Sequence, residues 1–384
     1  MVVLHITTGL KNGGAEAVLY RLIMADRENH HHVISLTDQG VYGERLAAAG
    51  LPVHALEMPR GRLTSVGLWT LYRLIRRIEP DVVQTWMYHA NLVGGLVARF
   101  AGRRDVVWGL HHSDLTAGRN PLSTRLVAYI CAGLSGVLPR RIVACSDGAA
   151  RTHIQIGYSR RKICVIPNGV DLAAFMPDPQ ARQETRAKLH VSKMEILLGM
   201  VGRWDPLKDH ETLLHALACV REGRPTGWRC LLVGPGITLD NPDLVRLLHK
   251  YEMHDLVLLA GPRSDIAGIM NALDLHILSS SGEAFGNVTV EAMACGVPAV
   301  VTSVGAGEQI VGPTGWVAPP VNVQALAHSI EAALVEHEMP QVWMQRQDAC
   351  RSRIVEKFSL ERMAEAYRSV WFLCQRDDSL ALSL

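Results

Sequence analysis

The 384-residue chain predicts an α/β protein built from two Rossmann-like, doubly wound domains that face one another across a cleft. Short β-branched runs alternate with helical periodicities along the whole length, which implies parallel β-α-β units with helices on both faces. The alternation restarts near residue 195, after a Pro-Asn-Gly turn in Ile166-Pro-Asn-Gly-Val-Asp171 that breaks both strand and helix. At about 150 residues per domain, the length also suits two or three domains.

In the first half the pattern places strands at Val2–Thr7, His32–Leu36, Pro52–Leu56, Asp81–Thr85, Val106–Leu110, Arg141–Ala144 and Ile163–Ile166. Helices are expected at Ala15–Met24, Val66–Ile78, Asn91–Arg99, Thr124–Leu138 and Asp147–Gln155, the last capped by Ser146. The second half repeats this with strands at Glu195–Val201, Trp228–Val233, Leu256–Leu259, Leu275–Leu278 and Ala299–Thr302. Its helices are expected at Glu211–Val220, Asp243–Tyr251, Asp265–Ala272 and Val288–Cys295. Phe175–Gln180 reads as further punctuation, and the segments Gln341–Val355 and Ser359–Gln375 close the chain as helices. The expected domains are 1–166 and 167–356. Ligands of such sheets bind at the carboxyl ends of the strands.

Composition removes several classes. A hydrophobic share of 48% with 20% charged residues excludes a disordered chain. The eight cysteines form no C-x-x-C pair, so they read as thiols of a reducing compartment. No apolar run reaches the roughly 18 residues that cross a bilayer, and no signal peptide is expected. Net charge is only +2, yet residues 1–165 carry +9 and residues 166–384 carry −7. A basic first half attracts an anionic partner (a lipid surface, a phosphate-bearing substrate or nucleic acid) unless its arginines only solvate the surface. His30-His31-His32 reads as a polar surface turn between helix and strand.

Three motifs carry chemistry. Gly13-Gly14 opens the first helix directly after the first strand, and its amides suit either an anion or a tight turn. The spacing is neither that of a dinucleotide fingerprint nor that of a P-loop. Gly202-Arg203-Trp-Asp-Pro-Leu-Lys208 follows the second domain's first strand. Its two cations suit a diphosphate, or are merely solvent-exposed. Ser281-Gly-Glu283-Ala-Phe-Gly-Asn287 leads into a helix that carries Glu291, eight positions after Glu283. A helix carboxylate can accept both hydroxyls of a ribose, and the Gly286-Asn287 opening presents amides. The plainer alternative is a loop carboxylate and a helix-surface charge.

Together, in this order and spacing, these motifs resemble the retaining GT-B glycosyltransferases of family four, the group-one glycosyltransferases whose two glutamates have seven residues between them. The resemblance implies that Arg203 and Lys208 bind the donor diphosphate, with Gly13 and Gly14 on the donor side, and that Glu291 binds the ribose. Glu283, with the amides of Ala284, Phe285, Gly286 and Asn287, would hold the transferred sugar, and His111 rather than His112 would lie beside it. It further implies an acceptor-side first domain, a donor-binding second domain and a C-terminal helix, 357–376, that packs back on the first. The family often has glycine after the lysine; here Asp209 follows Lys208.

The expected reaction is retaining transfer of a hexose from a UDP- or GDP-sugar to an acceptor hydroxyl, His111, Glu283, Arg203 and Lys208 being the catalytic set. The acceptor is expected to be a lipid-linked glycan in cell-surface polysaccharide or lipopolysaccharide synthesis. No metal and no cofactor beyond the donor is expected, because no D-x-D motif stands near these residues and two side-chain cations already oppose the diphosphate. The protein is expected to be cytoplasmic, peripheral at an anionic membrane, and without a nucleic-acid partner. Trp86 and Tyr88, in an expected loop Thr85–Asn91, would offer aromatic faces to an acceptor sugar, the alternative for Trp86 being burial in the core. The alternatives are a sugar-nucleotide epimerase of the same architecture and a non-catalytic nucleotide-sugar-binding subunit; a dehydrogenase is disfavoured.

Overall fold

The computed structural model describes residues 1–113, 115 and 121–375. They form two compact units: Met1–Gly169 with the last helix, and Val170–Ser359. The first unit runs β1 (Val2–Thr7), α1 (Gly14–Ala25), β2 (His30–Ser35), α2 (Gly40–Ala48), β3 (Val53–Ala55), α3 (Ser65–Ile78) and β4 (Val82–Trp86). It continues through α4 (Met87–Phe100), β5 (Val106–Leu110), α5 (Leu122–Leu134), β6 (Arg141–Ala144), α6 (Asp147–Gln155) and β7 (Ile163–Val165). The second unit contains α7 (Pro179–Lys188), β8 (Ile196–Val201), α8 (His210–Gly223), β9 (Trp228–Val233), α9 (Pro242–Lys250), β10 (Val257–Leu259), α10 (Ile266–Ala272) and β11 (Leu275–Leu278). There follow α11 (Asn287–Ala294), β12 (Ala299–Thr302), α12 (Gly307–Val311), β13 (Trp316–Ala318), α13 (Val323–His337) and α14 (Pro340–Lys357), before α15 (Leu360–Gln375) rejoins the first unit. The expected end of that helix, residue 376, lies outside the described residues.

Both sheets are wholly parallel. Their strand orders are β3-β2-β1-β4-β5-β6-β7 and β10-β9-β8-β11-β12-β13. Every residue of β4, β5, β8, β11 and β12 is buried, as a parallel sheet covered on both faces requires. The order reverses between β1 and β4 in one unit and between β8 and β11 in the other. Such a reversal opens a crevice at the strands' carboxyl ends.

The helix α15 joins the first unit because of its periodicity. Leu360, Met363, Ala364, Tyr367, Val370, Trp371 and Cys374 recur every three or four residues and are all buried. They share a core with Val3, Leu19, Leu22 and Trp86. Each large side chain so enclosed contributes about 1.5–3 kcal/mol.

Two sequence expectations fail here. The histidine triplet is not a surface turn: β2 begins at His30, and the two-residue alternation of a strand turns His31 inward to 4% exposure while His30 stays exposed. Nor is Thr85–Asn91 a loop. Trp86 is the last residue of β4, and Met87, in the left-handed region at φ 71, turns the chain directly into α4. Trp86 and Tyr88 are therefore 1% exposed and present no face to an acceptor. The punctuation at Phe175–Gln180 contains a helix start, with Asp178 capping the amides of Gln180 and Ala181 and Pro179 at the first helical position.

Candidate active site

In the second unit the loops that follow β8 and β11 flank the reversal of strand order, and they carry the residues the sequence singled out. After β8, Asp205 caps a short turn by accepting from the Leu207 amide at 2.9 Å, which sets the Lys208 position. Asp209 adopts the left-handed conformation (φ 50) and caps α8, accepting from the Thr212 amide and hydroxyl. This explains how an aspartate serves where a glycine is frequent: the helix cap offsets the backbone strain. After β11, Ser279 donates to the carbonyls of Lys208 (3.0 Å) and Asp209 (3.2 Å), and the Ser281 amide donates to Leu207 O at 2.8 Å. The two loops are thus laced together.

Across that lacing Lys208 Nζ meets Glu283 Oε2 at 2.5 Å, both side chains being more than four-fifths buried. Gly305, at φ 57, leaves room for the Glu283 carbonyl, into which any Cβ would run. Gly286, at φ 102, caps α11, whose first residue is Asn287. Its amides and the positive end of the helix dipole follow Glu283 by four positions in the chain. Glu291, one turn further along α11, is 6% exposed. Phe285 is buried with its ring 6.0 Å from that of Phe358. Arg203 differs from the others. Its guanidinium is 64% exposed and held by Asp205 at 2.8 Å, apart from the lysine–glutamate pair.

In the first unit Gly13 caps α1, and Gly14 is its first residue. A Cβ at Gly13 would collide with the Glu16 carboxylate, which folds back over the helix start; burial raises that carboxyl's pKa. The helix opening therefore already faces an acid of its own chain. His111 follows β5 and stacks on Trp86, ring centroids 5.0 Å apart at 21°. Both its ring nitrogens are buried without a hydrogen-bond partner, and burial lowers its pKa to about 4. It is a neutral imidazole with two unused polar positions.

Residues 195–336 match the group 1 glycosyl transferases, and residues 12–174 match glycosyltransferase family 4. EpsF of Bacillus subtilis, named a glycosyltransferase, is 25% identical over 78% of this chain and 78% of its own. The D-inositol 3-phosphate glycosyltransferase of Kineococcus radiotolerans is 37% identical over 176 residues, which span 43% of this chain and 40% of that protein. Anabaena Alr3699/HepE, solved in complex with UDP, superposes with a TM-score of 0.84 at 24% identity over 97% of this chain and all of its own. The chain is a glycosyltransferase of the GT-B fold.

Sequence reasoning about the transferase named Lys208 and Glu283, which the structure brings into contact, but missed what surrounds them. His276 on β11 and His210 on α8 are buried near Lys208, and burial together with its charge lowers their pKa values to about 3 and about 4. The hydroxyls of Ser280 and Thr289 are buried without a hydrogen-bond partner. No spacing signal marks such residues, since a lone histidine or serine in an apolar run reads as core. Among the described residues no group of three acids, histidines or cysteines is placed to hold a metal ion.

Proposed function

We propose that the enzyme is a retaining hexosyltransferase that uses a UDP- or GDP-sugar, with the second unit as donor site. The observation that carries this reading is the enclosed Lys208–Glu283 pair at the strand-order reversal, beside the start of α11. A cation there opposes the charge of the departing diphosphate, and a carboxylate accepts from sugar hydroxyls. Arg203, exposed and paired with Asp205, turns to the diphosphate, and Glu291 accepts from the ribose. Ala284, Phe285, Gly286 and Asn287 offer backbone amides to the sugar. His111, stacked on Trp86, lies beside the transferred sugar, with the Gly13-Gly14 helix opening on the donor side. The leaving phosphate oxygen takes the acceptor's proton, so no nucleophilic side chain is needed. The Anabaena neighbour solved with UDP-glucose holds a donor of the proposed class. A thermal-shift screen of UDP-, GDP- and ADP-sugars tests the reading: one of them should raise the melting temperature, and Lys208→Ala should remove the shift. Indifference to all of them would refute the donor site.

The acceptor is proposed to be a lipid-linked glycan, reached by a cytoplasmic enzyme resting on an anionic membrane. No helix of the described residues is long and apolar enough to cross one. The neighbouring helices α3, α4 and α5 instead expose Val66, Trp69, Phe100, Leu122 and Leu126. Arg73, Arg76 and Arg77 line a groove with Trp69 and Tyr72 on the same helix α3. Apolar side chains among arginines suit the boundary of an anionic leaflet, where each cation contributes about 1 kcal/mol.

A further inference from the structure

Beneath His111 the first unit holds a buried polar chain that the reading above leaves without a role. The indole Nε1 of Trp86 donates to His5 Nδ1 at 3.2 Å. His5 Nε2 lies 3.0 Å from His31 Nδ1, and His31 Nε2 lies 3.3 Å from Asp26 Oδ2. The residues come from β4, β1, β2 and the end of α1, so the chain runs across three adjacent strands. An indole N–H only donates and an ionised carboxylate only accepts. The indole end therefore imposes a proton order, in which His5 accepts on Nδ1 and turns its Nε2 hydrogen towards His31 Nδ1, while His31 Nε2 faces the carboxylate as a close contact outside hydrogen-bond geometry.

The carboxylate end is fixed. Asp26 accepts from Asn29 Nδ2 at 2.7 Å and from the Glu28 amide at 3.2 Å, and Arg368 stands 3.5 Å away. Burial works to raise its pKa, but the contacts with His31 and Asn29 prevail and hold it at about 2. The indole end is braced by α15. Tyr367 lies nearly parallel to Trp86 (6.0 Å, 23°), and Trp371 stands edge-on to both imidazoles at 5.9 Å. Trp371 is itself tied to Gln84 by a 3.1 Å bond. The strained Met87 backbone directly after Trp86 fixes the same corner.

A core of apolar side chains would meet the demands of stability at lower desolvation cost. What a directional chain adds is orientation, and the ring it orients is the one on which His111 stacks. We propose that Asp26, His31 and His5 are positioning residues that fix the plane of Trp86 and, through it, the seat of the His111 ring stacked on it. The proposal rests on the reading that His111 faces the transferred sugar.

Two measurements on the full chain test it. In protein labelled with 15N-histidine, ring-nitrogen shifts should report His5 as a neutral Nε2–H form; a cation or an Nδ1–H form at His5 overturns the chain. The second is release of nucleoside diphosphate from UDP-, GDP- or ADP-glucose, whichever most raises the melting temperature. His5→Phe should lower kcat roughly 10- to 100-fold with KM changed less than about 2-fold. His5→Asn, whose Oδ1 can still accept from Trp86, should recover most of the loss, which a merely structural role does not predict. If His5→Phe fails to fold, Trp86→Phe, which keeps the stack but removes the indole donor, takes its place. Unchanged kcat in these variants, beside a His111→Ala that is nearly inactive, overturns the positioning role and leaves the His111 reading standing. A silent His111→Ala removes both.

Discussion

The two units reverse their strand order in the same way but furnish the reversal with opposite chemistry. In the second unit the loops after β8 and β11 carry charged groups, with Lys208 and Glu283 in contact and Arg203 held by Asp205. In the first unit His5, within β1, and Trp86, the last residue of β4, belong to a buried chain of ring nitrogens that reaches Asp26, with His111 stacked on Trp86. The same reversal of strand order is thus accompanied by an ion pair in one unit and by stacked aromatic rings in the other, a difference that lies in the side chains and not in the fold.

Removing the charge from the charged side should have the largest effect. Lys208→Ala is expected to lower kcat by about 10²–10³-fold, the scale of losing a preorganised charge at a leaving group. Arg203→Ala should cost less, nearer 10-fold, because the guanidinium is exposed and already paired with Asp205. Near-normal turnover in both would end the contrast. On the neutral side, His111→Ala should reduce kcat by roughly 10- to 100-fold, with steady-state kinetics as the check.

Stability should depend on pH through buried histidines in both units. Burial lowers the pKa of His153 and His111 to about 4 in the first, and of His210 to about 4 and His276 to about 3 in the second. The unfolded chain takes up these protons near pH 6.5, whereas the folded chain resists them until about pH 4. Their contribution is therefore complete above pH 6.5 and is lost as pH falls from 6.5 towards 4. Each histidine is worth on the order of 1–3 kcal/mol. Melting temperatures measured from pH 7.5 to 4.5 should fall steadily, and a flat profile would mean that these rings are not enclosed.

Smaller effects concern the surface and the medium. Binding to anionic vesicles should weaken with salt and fall several-fold when Arg73, Arg76 and Arg77 become Glu. The corresponding change at Arg103 and Arg104 should cost less, since Arg103 is already paired with Glu79 at 3.2 Å. Excess EDTA should leave turnover unchanged, because two side-chain cations oppose the diphosphate. A rate that collapses with chelator and returns with magnesium or manganese would show that the charged side needs a metal partner.

The alternation of β-branched runs and helical periods determined the α/β class and most strands by itself, because period and length are local properties of the chain. The same holds for the loop positions of Arg203, Lys208 and Glu283, since turn residues and strand ends are written in consecutive positions. Tertiary structure alone decided the rest. His30-His31-His32 looked polar, yet strand pairing with β1 turned His31 inward to meet His5. Trp86 looked like a loop aromatic, yet α15, nearly 300 residues later in the chain, closes over it. Nor does sequence spacing reveal that Lys208 reaches Glu283 while Arg203 turns to Asp205. Contacts between distant segments depend on which strands become neighbours, and that choice is made by burial of the whole sheet rather than by any local pattern.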